Sequence, residues 1–146
     1  MNAILLVARL IFGGYFLYSG VSHFTQQQQM AAYAAQHGVP GILVAVSGAM
    51  IIVGGLHVLL GVMPRLGLLL IVAFLLPVSI VMHAFWSVAD PATRMQEMIQ
   101  FSKNIALVGG ALGLMAVPVP WPYSVDGIIA SKRRGSGVGY GRPIPH

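Results

Sequence analysis

The sequence predicts an all-α integral membrane protein, a bundle of four transmembrane helices. Two observations support this fold class. Hydrophobic residues make up 57% of the 146-residue chain and charged residues only 8%, whereas an ordinary soluble domain carries about 25% charged residues. Four apolar stretches also approach the ~20 residues that a helix needs to cross a bilayer. Because so few charges cannot cover a globule in water, a soluble enzyme is excluded.

The predicted spans are separated by breaks rich in proline, glycine or polar residues. They cover residues 3–21, 41–63, 66–88 and 101–119. The fourth apolar run is short, but Asp90-Pro91 is a good helix start, since an acidic N-cap precedes a proline at the first helical position. We therefore predict an interfacial helix that begins near Pro91 and leads into the fourth span. The composition of residues 30–37 also allows a short interfacial helix between the first two spans.

A basic tail follows the bundle, so we divide the chain into a transmembrane domain (1–126) and a Gly/Pro-rich tail (127–146). Four of the eight Lys and Arg residues lie in the last fifteen positions. An even number of spans puts both termini on one side, which the positive-inside rule makes the cytoplasm. The net charge of +5 therefore indicates topology and not nucleic-acid binding. Four tail residues are expected to bind lipid headgroups or dock a partner chain: Lys132, Arg133, Arg134 and Arg142.

Small residues at spacings of four predict close helix packing in lipid. They form three ladders: Gly41, Ala45 and Ala49; Gly109 and Gly113; and Ala106 with Gly110. We expect these faces to pack within the bundle. A seam between copies of a homo-oligomer remains the alternative.

Polar side chains at the end of the bundle opposite the tail form the richest candidate site, because ionisable groups are costly in a membrane. Arg94 and Glu97 are three residues apart and can pair on one helix face. A carboxylate, imidazoles and aromatic rings together can bind the carbonyls of a quinone and move its protons. The alternative is a network that only anchors the bundle. The residues are His23, His83, Trp86, Arg94, Glu97, Lys103 and Asn104.

A second polar pair, Arg9 and His57, is predicted near the cytoplasmic side. The two residues lie at similar depth, because the first two spans run in opposite directions. Together they would hold a polar headgroup or an anionic ligand. Alternatively, Arg9 extends towards the headgroups and His57 bonds to a backbone carbonyl.

The sequence identifies no cofactor with certainty, and quinone is the candidate that these residues suggest. His23 and His83 lie at similar depth and could form a bis-imidazole haem site, but haem in a bundle usually has deeper histidines, so we expect none. No HxxxH or HExxH spacing occurs, acidic residues are scarce, and cysteine is absent. We therefore predict no metal site and assign no catalytic residue.

The ordered set of segments from about Ala3 to Asp126 resembles the DoxX family of small four-helix bacterial membrane proteins. The segments are RLIFGGYFLYSGVSHF, GVPGILVAVSGAMIIVGGLHVLLG, FLLPVSIVMHAFW, DPATRMQEMIQFSKNIALVGGALGL and WPYSVD. Residues that match the family pattern are Arg9, His83, Asp90, Arg94, Glu97, Lys103 and Asn104. His57 and the basic tail lie outside that pattern.

The resemblance implies a bacterial inner membrane protein linked to redox systems. Subunits of thiosulfate:quinone oxidoreductase are similar to the family, and some members act with superoxide dismutase and sulfurtransferase in an oxidative-stress complex. We therefore expect a non-catalytic or quinone-linked subunit of a membrane electron-transfer complex, with other membrane subunits as partners. Two alternatives remain. One is a structural accessory subunit of a respiratory or photosynthetic assembly. The other is a carrier for a small solute or lipid, which the almost entirely apolar midplane disfavours.

Overall fold

The chain folds into a bundle of antiparallel helices, and the computed structural model describes residues 2–136, with side chains up to Arg134. Its helices are α1 (Asn2–Thr25), α2 (Gln27–Gln36), α3 (Ile42–Leu60), α4 (Pro64–Met82), α5 (Pro91–Met115) and α6 (Val125–Ser136), with a 3-10 turn over Phe85–Ser87. Four of them are long and apolar enough to cross a membrane: α1, α3, α4 with the following turn, and α5. The predicted fold class is confirmed.

The connection between α3 and α4 is a tight turn that the local sequence encodes. Gly61 has a φ of 64° and donates its N–H to the carbonyl of His57, as helix C-caps in the left-handed region do. Met63 also has a positive φ, 43°, and Pro64 then begins α4. The turn therefore lies inside the predicted second span, 41–63, because Gly61 and Met63 continue its apolar run.

The other two long helices end before the predicted spans do, α4 at Met82 instead of residue 88 and α5 at Met115 instead of residue 119. α4 ends at Met82, because the backbone leaves the helical region at His83 (φ −120°, ψ 40°). The third span is therefore shorter than the predicted 66–88. α5 begins at Pro91 as predicted, and the Asp90 side chain caps it by accepting a hydrogen bond from the Thr93 N–H at 2.8 Å. It continues without a break to Met115.

Glycines bring α1 and α3 into close contact. A Cβ added to Gly13 would lie 2.8 Å from the carbonyl oxygen of Gly55, and one added to Gly20 would lie 2.9 Å from that of Gly48. Each helix thus places two glycines, seven residues apart, against the other helix. α3 packs in turn against α4, and α4 against α5.

Only single members of the predicted small-residue ladders face other helices: a Cβ at Gly41 would lie 3.0 Å from that of Ala31, and one at Gly110 would lie 3.4 Å from the Phe12 ring. Gly109 and Gly113 are exposed on α5, and a Cβ at either position would meet no atom within 4 Å. Ala49 is exposed as well, whereas Gly48 beside it is buried. Spacing alone missed the packing faces of α3, where Gly48 and Gly55 contact α1 and Gly54 contacts α4.

The first part of the predicted tail is helix α6, which lies against the α3–α4 turn. Ser124 caps α6 by accepting a hydrogen bond from the Gly127 N–H at 3.0 Å. Asp126 accepts one from the Met63 N–H at 2.8 Å. Lys132, Arg133 and Arg134 are exposed on its last turns, whereas Arg142 lies outside the described residues. We call this end of the bundle the α6 end and the opposite one the α2 end.

Candidate functional site

Three side chains from three different elements meet at the α2 end of the bundle. The His83 Nδ1 lies 2.7 Å from the Glu97 Oε2, and the Tyr33 hydroxyl lies 2.9 Å from the Glu97 Oε1. That hydroxyl also lies 3.0 Å from the carbonyl oxygen of Met82. His83 and Glu97 are mostly buried, with 17% and 16% of their side chains exposed. We call Tyr33, His83 and Glu97 the polar cluster.

Local structure explains why these side chains converge. Tyr33 lies on α2, which the buried Ala34 anchors against the bundle. His83 is the residue at which the chain leaves α4, so its ring can turn towards the first turns of α5. Glu97 lies on those turns, whose position the Asp90 cap fixes. Hydrogen bonds from Thr93 hold the pKa of this exposed Asp90 below its usual value.

The polar cluster can gain one proton without losing a hydrogen bond. The Tyr33 hydroxyl has one hydrogen but two acceptors, the Met82 carbonyl and the Glu97 Oε1. If Glu97 is protonated on Oε1, the acid donates to the Tyr33 oxygen and the phenol donates to Met82. The Oε2 still accepts from His83 in both states.

Burial, the hydrogen bond to Glu97 and the negative charge of Glu97 together raise the pKa of Tyr33 to about 12, burial having the largest effect. The phenol therefore stays protonated over the whole physiological range. It acts as a neutral hydrogen-bond donor between the carboxylate and the end of α4.

A cavity of about 520 Å³ lies directly beside the polar cluster, between α2, α3 and α4. Most of its wall is apolar, including Met50, Phe74 and Val78. Its polar side chains are His23, Tyr33, Ser47 and His83. Pro77, inside α4, also lines it and has no N–H to donate to the carbonyl of Ala73.

His23 enters the cavity from the last turns of α1. Its Nδ1 lies 2.8 Å from the carbonyl oxygen of Ser19, one turn earlier on the same helix. Its ring meets that of Phe74 edge to face, with the ring centres 5.7 Å apart. The two histidines that the sequence placed at one depth, His23 and His83, therefore line one cavity.

Four of the predicted outer residues lie outside both the polar cluster and the cavity wall. Arg94 is exposed, and within residues 2–136 it forms no ion pair with Glu97, both of whose oxygens bind His83 and Tyr33. Lys103 is exposed and donates to the Gln100 side chain. Asn104 is buried on α5. Trp86 is largely exposed and packs edge to face against Phe85 and Phe101.

The inner pair, Arg9 and His57, does not form a joint site, because each side chain binds a different backbone carbonyl. Arg9 is 3% exposed. Its Nε and Nη2 donate to the carbonyl of Leu59 at 3.2 and 3.0 Å, and its Nη1 donates to that of Pro122 at 3.0 Å. The His57 Nδ1 lies 2.7 Å from the carbonyl oxygen of Val62. Both residues hold the α6 end together.

Sequence reasoning missed Tyr33 and the cavity itself. A signal for Tyr33 was present: it is an aromatic residue with a polar tip in a linker segment, 22–40, that has no charged residue. The cavity has no local signal in the sequence, because its walls come from several helices that are far apart in the chain. No three metal-ligating side chains lie together within the part of the chain that the structure describes.

Comparisons with known proteins agree with this architecture. The DoxX family profile matches residues 4–84, which include every residue that lines the cavity but not Glu97. The inner membrane protein YqjF of Escherichia coli (strain K12) is 28% identical over 127 residues, covering 87% of this chain and 92% of the relative. No solved structure matches the chain. Since the family profile covers more than half of its residues, this multi-pass membrane protein belongs to the DoxX family.

Proposed function

We propose that the protein is a quinone-linked, non-catalytic subunit of a redox complex in the bacterial inner membrane, and that its cavity binds a quinone headgroup. The observation that carries this proposal is the cavity of about 520 Å³, apolar on its walls and bordered by the polar cluster. Protein pockets that bind small molecules typically have a volume of about 300–1,000 Å³ and mostly apolar walls with a few convergent polar groups.

The residues of the cavity fit a lipid-soluble ring compound. Phe74 and Met50 offer apolar contacts to the faces of a ring, and His23 and His83 offer polar atoms at its edge. Val46 and Val81 also line the cavity, and both are about half exposed on the outside of the bundle. A hydrocarbon chain attached to the ring can therefore pass between α3 and α4 into the lipid.

The polar cluster supplies what a quinone site needs for protons. A bound quinone takes up protons when it is reduced and gives them up when it is oxidised. Glu97 can hold one such proton on Oε1, while Tyr33 shifts its donated hydrogen to Met82. The association with a redox complex rests on family membership, because the resemblance of this chain to the DoxX family implies such partners. The relative from Escherichia coli is an inner membrane protein, which supports the location.

Orientation is part of the same proposal. The α6 end carries Arg65 and the basic last turns of α6, and we place it in the cytoplasm by the positive-inside rule. The cavity and the polar cluster then lie towards the outer surface. The tail residues Lys132, Arg133 and Arg134 would contact anionic headgroups there or a partner chain.

Filling the cavity tests the proposed function. Decylubiquinone binding to the full chain in lipid nanodiscs is measured by equilibrium dialysis, with Ala73→Phe as the cavity-filling variant. Ala73 lines the cavity, whereas Ala106 is exposed on α5 away from it. Ala106→Phe is therefore the matched control for added volume.

We expect saturable binding to the unmodified protein and to Ala106→Phe, and at least about tenfold weaker binding to Ala73→Phe, since a blocked pocket loses its apolar contacts. Equal binding to both variants would show that quinone partitions into lipid and not into the cavity. Absence of saturable binding to the unmodified protein would also overturn the proposal.

A further inference from the structure

We infer that the cavity selects the reduced headgroup, a hydroquinone with two hydroxyl groups, over the oxidised quinone. The inference rests on the proposed function and on a count of hydrogen-bond donors. A quinone carbonyl can only accept hydrogen bonds, whereas each hydroxyl of a hydroquinone can donate one. The cavity offers acceptors but no unused side-chain donor.

The tautomer of His23 follows from its partner. The Nδ1 lies 2.8 Å from the Ser19 carbonyl oxygen, which can only accept, so the Nδ1 carries the hydrogen. In the neutral imidazole, the Nε2 is then a hydrogen-bond acceptor. This Nε2 forms no hydrogen bond to any described residue.

The same reasoning holds for His83. Its Nδ1 lies 2.7 Å from the Glu97 Oε2 and donates to it when the carboxylate is ionised. If Glu97 gains a proton, Oε1 is the atom that faces the Tyr33 oxygen, and Oε2 still accepts from His83. The neutral His83 therefore also presents its Nε2 as an acceptor, in either protonation state of Glu97.

The remaining polar side chains of the cavity wall have no hydrogen to offer. The Ser47 hydroxyl donates to the carbonyl of Val44 at 3.0 Å. The single hydrogen of Tyr33 is shared between Met82 and Glu97. Pro77 adds no N–H and leaves the carbonyl of Ala73 without its helical donor. A buried carbonyl without a donor loses affinity, whereas a hydroxyl satisfies an imidazole acceptor.

A comparison of three ligands with the same ring and side chain tests the inference directly. Decylubiquinol, decylubiquinone and the dimethyl ether of decylubiquinol are bound to the full chain in nanodiscs without oxygen at pH 8. We expect the hydroquinone to bind at least about tenfold more tightly than the quinone, since two further hydrogen bonds form. The dimethyl ether should bind like the quinone, because it has no donor.

His23→Gln tests the role of the imidazole acceptor. A glutamine amide can rotate to donate as well as accept, so this variant should bind the quinone more tightly and reduce the preference for hydroquinone several-fold. His57→Gln is the matched control, because the His57 Nδ1 also faces a backbone carbonyl, at the other end of the bundle. It should leave the preference unchanged.

The outcomes separate this inference from the proposed function. Tight binding of both forms without preference would overturn the selectivity and leave the quinone site standing. A preference that His23→Gln leaves intact would show that the histidine tautomer does not cause it. Failure of every ligand to bind would remove the quinone site itself.

Discussion

Individual side chains in this protein bind backbone carbonyls where the sequence suggested ligands. Arg9 is the clearest example. The cost of a guanidinium at membrane depth marked it as informative, and its donors satisfy two carbonyls, those of Leu59 and Pro122. Both carbonyls belong to segments distant from Arg9 in the chain. Such partners cannot be read from spacing, which is why the sequence suggested either a ligand or the headgroups.

Replacement of Arg9 by leucine should lower the free energy of unfolding by about 2 kcal/mol or more. The variant leaves the carbonyls of Leu59 and Pro122 without a donor, and each such group costs about 1–3 kcal/mol. Unfolding by SDS in mixed micelles measures the change. Arg65→Leu is the control, because Arg65 is exposed at the same end. If both substitutions change the free energy of unfolding by a similarly small amount, the hydrogen bonds of Arg9 to Leu59 and Pro122 do not stabilise the bundle.

Tyr33 should make stability depend on pH in the alkaline range. Its pKa is about 12 in the folded protein and about 10 in an unfolded chain, so the unfolded state loses the proton first. The contribution is therefore fully present below pH 10 and is lost as the pH rises towards 12. Tyr33→Phe should remove this component.

The measurement is SDS unfolding of both proteins from pH 9 to pH 12. Subtracting the unfolding free energy of one protein from that of the other cancels the titration of all the residues that the two proteins share. If the difference in unfolding free energy stays constant across this range, Tyr33 is not held in a buried, protonated state.

Single residues of the candidate site were predictable only in part. His23, His83 and Glu97 stood out because polar groups in an apolar frame are few. The structure brings His83 and Glu97 into contact and leaves Arg94 exposed on α5. Helical spacing of three allows a pair, but a carboxylate whose two oxygens already bind His83 and Tyr33 has little to gain from an exposed arginine.

At the scale of elements, helix starts were easier to predict than helix packing. Asp90-Pro91 fixes the start of α5 through local chemistry that depends on a few neighbouring residues. The contact between α1 and α3 depends instead on which glycines face each other across two helices. A chain with 18 glycines offers many such pairings, and only the fold decides among them.

Gly55→Ala should destabilise the bundle more than Gly109→Ala. A Cβ at Gly55 would lie 2.9 Å from the carbonyl oxygen of Gly13, a backbone atom that moves only with its helix. Overpacking of this kind typically costs about 1–3 kcal/mol. At Gly109 no atom lies within 4 Å of the added methyl group, so this variant is the control.

Thermal unfolding of both variants in detergent, followed by circular dichroism, measures the difference. Equal transition temperatures would show that α1 and α3 can separate without cost. A loss of stability in Gly109→Ala would instead indicate that the exposed face of α5 packs against another chain.

At the scale of the whole molecule, the fold class is the feature that the sequence predicts best, because amino-acid composition determines it. Four apolar segments in a chain with few charges determine a membrane bundle, and the DoxX resemblance follows the same segments. The cavity is a property of the assembled helices, since α2, α3 and α4 leave space between them that none of their sequences marks. This is the physical reason why the fold was more predictable than the site.

Reporter fusions test the orientation of the whole bundle. Fusions after Pro40 and after Asp90 should report the outer side, and a fusion after Ser131 should report the cytoplasm, because the basic residues gather at the α6 end. Alkaline phosphatase and green fluorescent protein give opposite signals for the two sides. A cytoplasmic signal after Pro40 or after Asp90 would reverse the proposed placement of the cavity.

The uneven distribution of buried side chains has a consequence for local motion. Val58, Leu68, Trp121 and Ser124 are 2% exposed or less near the α6 end, whereas the α2 end surrounds a cavity. Local opening is cheapest where few atoms are packed. Amide hydrogens of α2 should therefore exchange with solvent well before those around Trp121. A ligand could then enter through transient separation of α2 while the rest of the bundle stays folded.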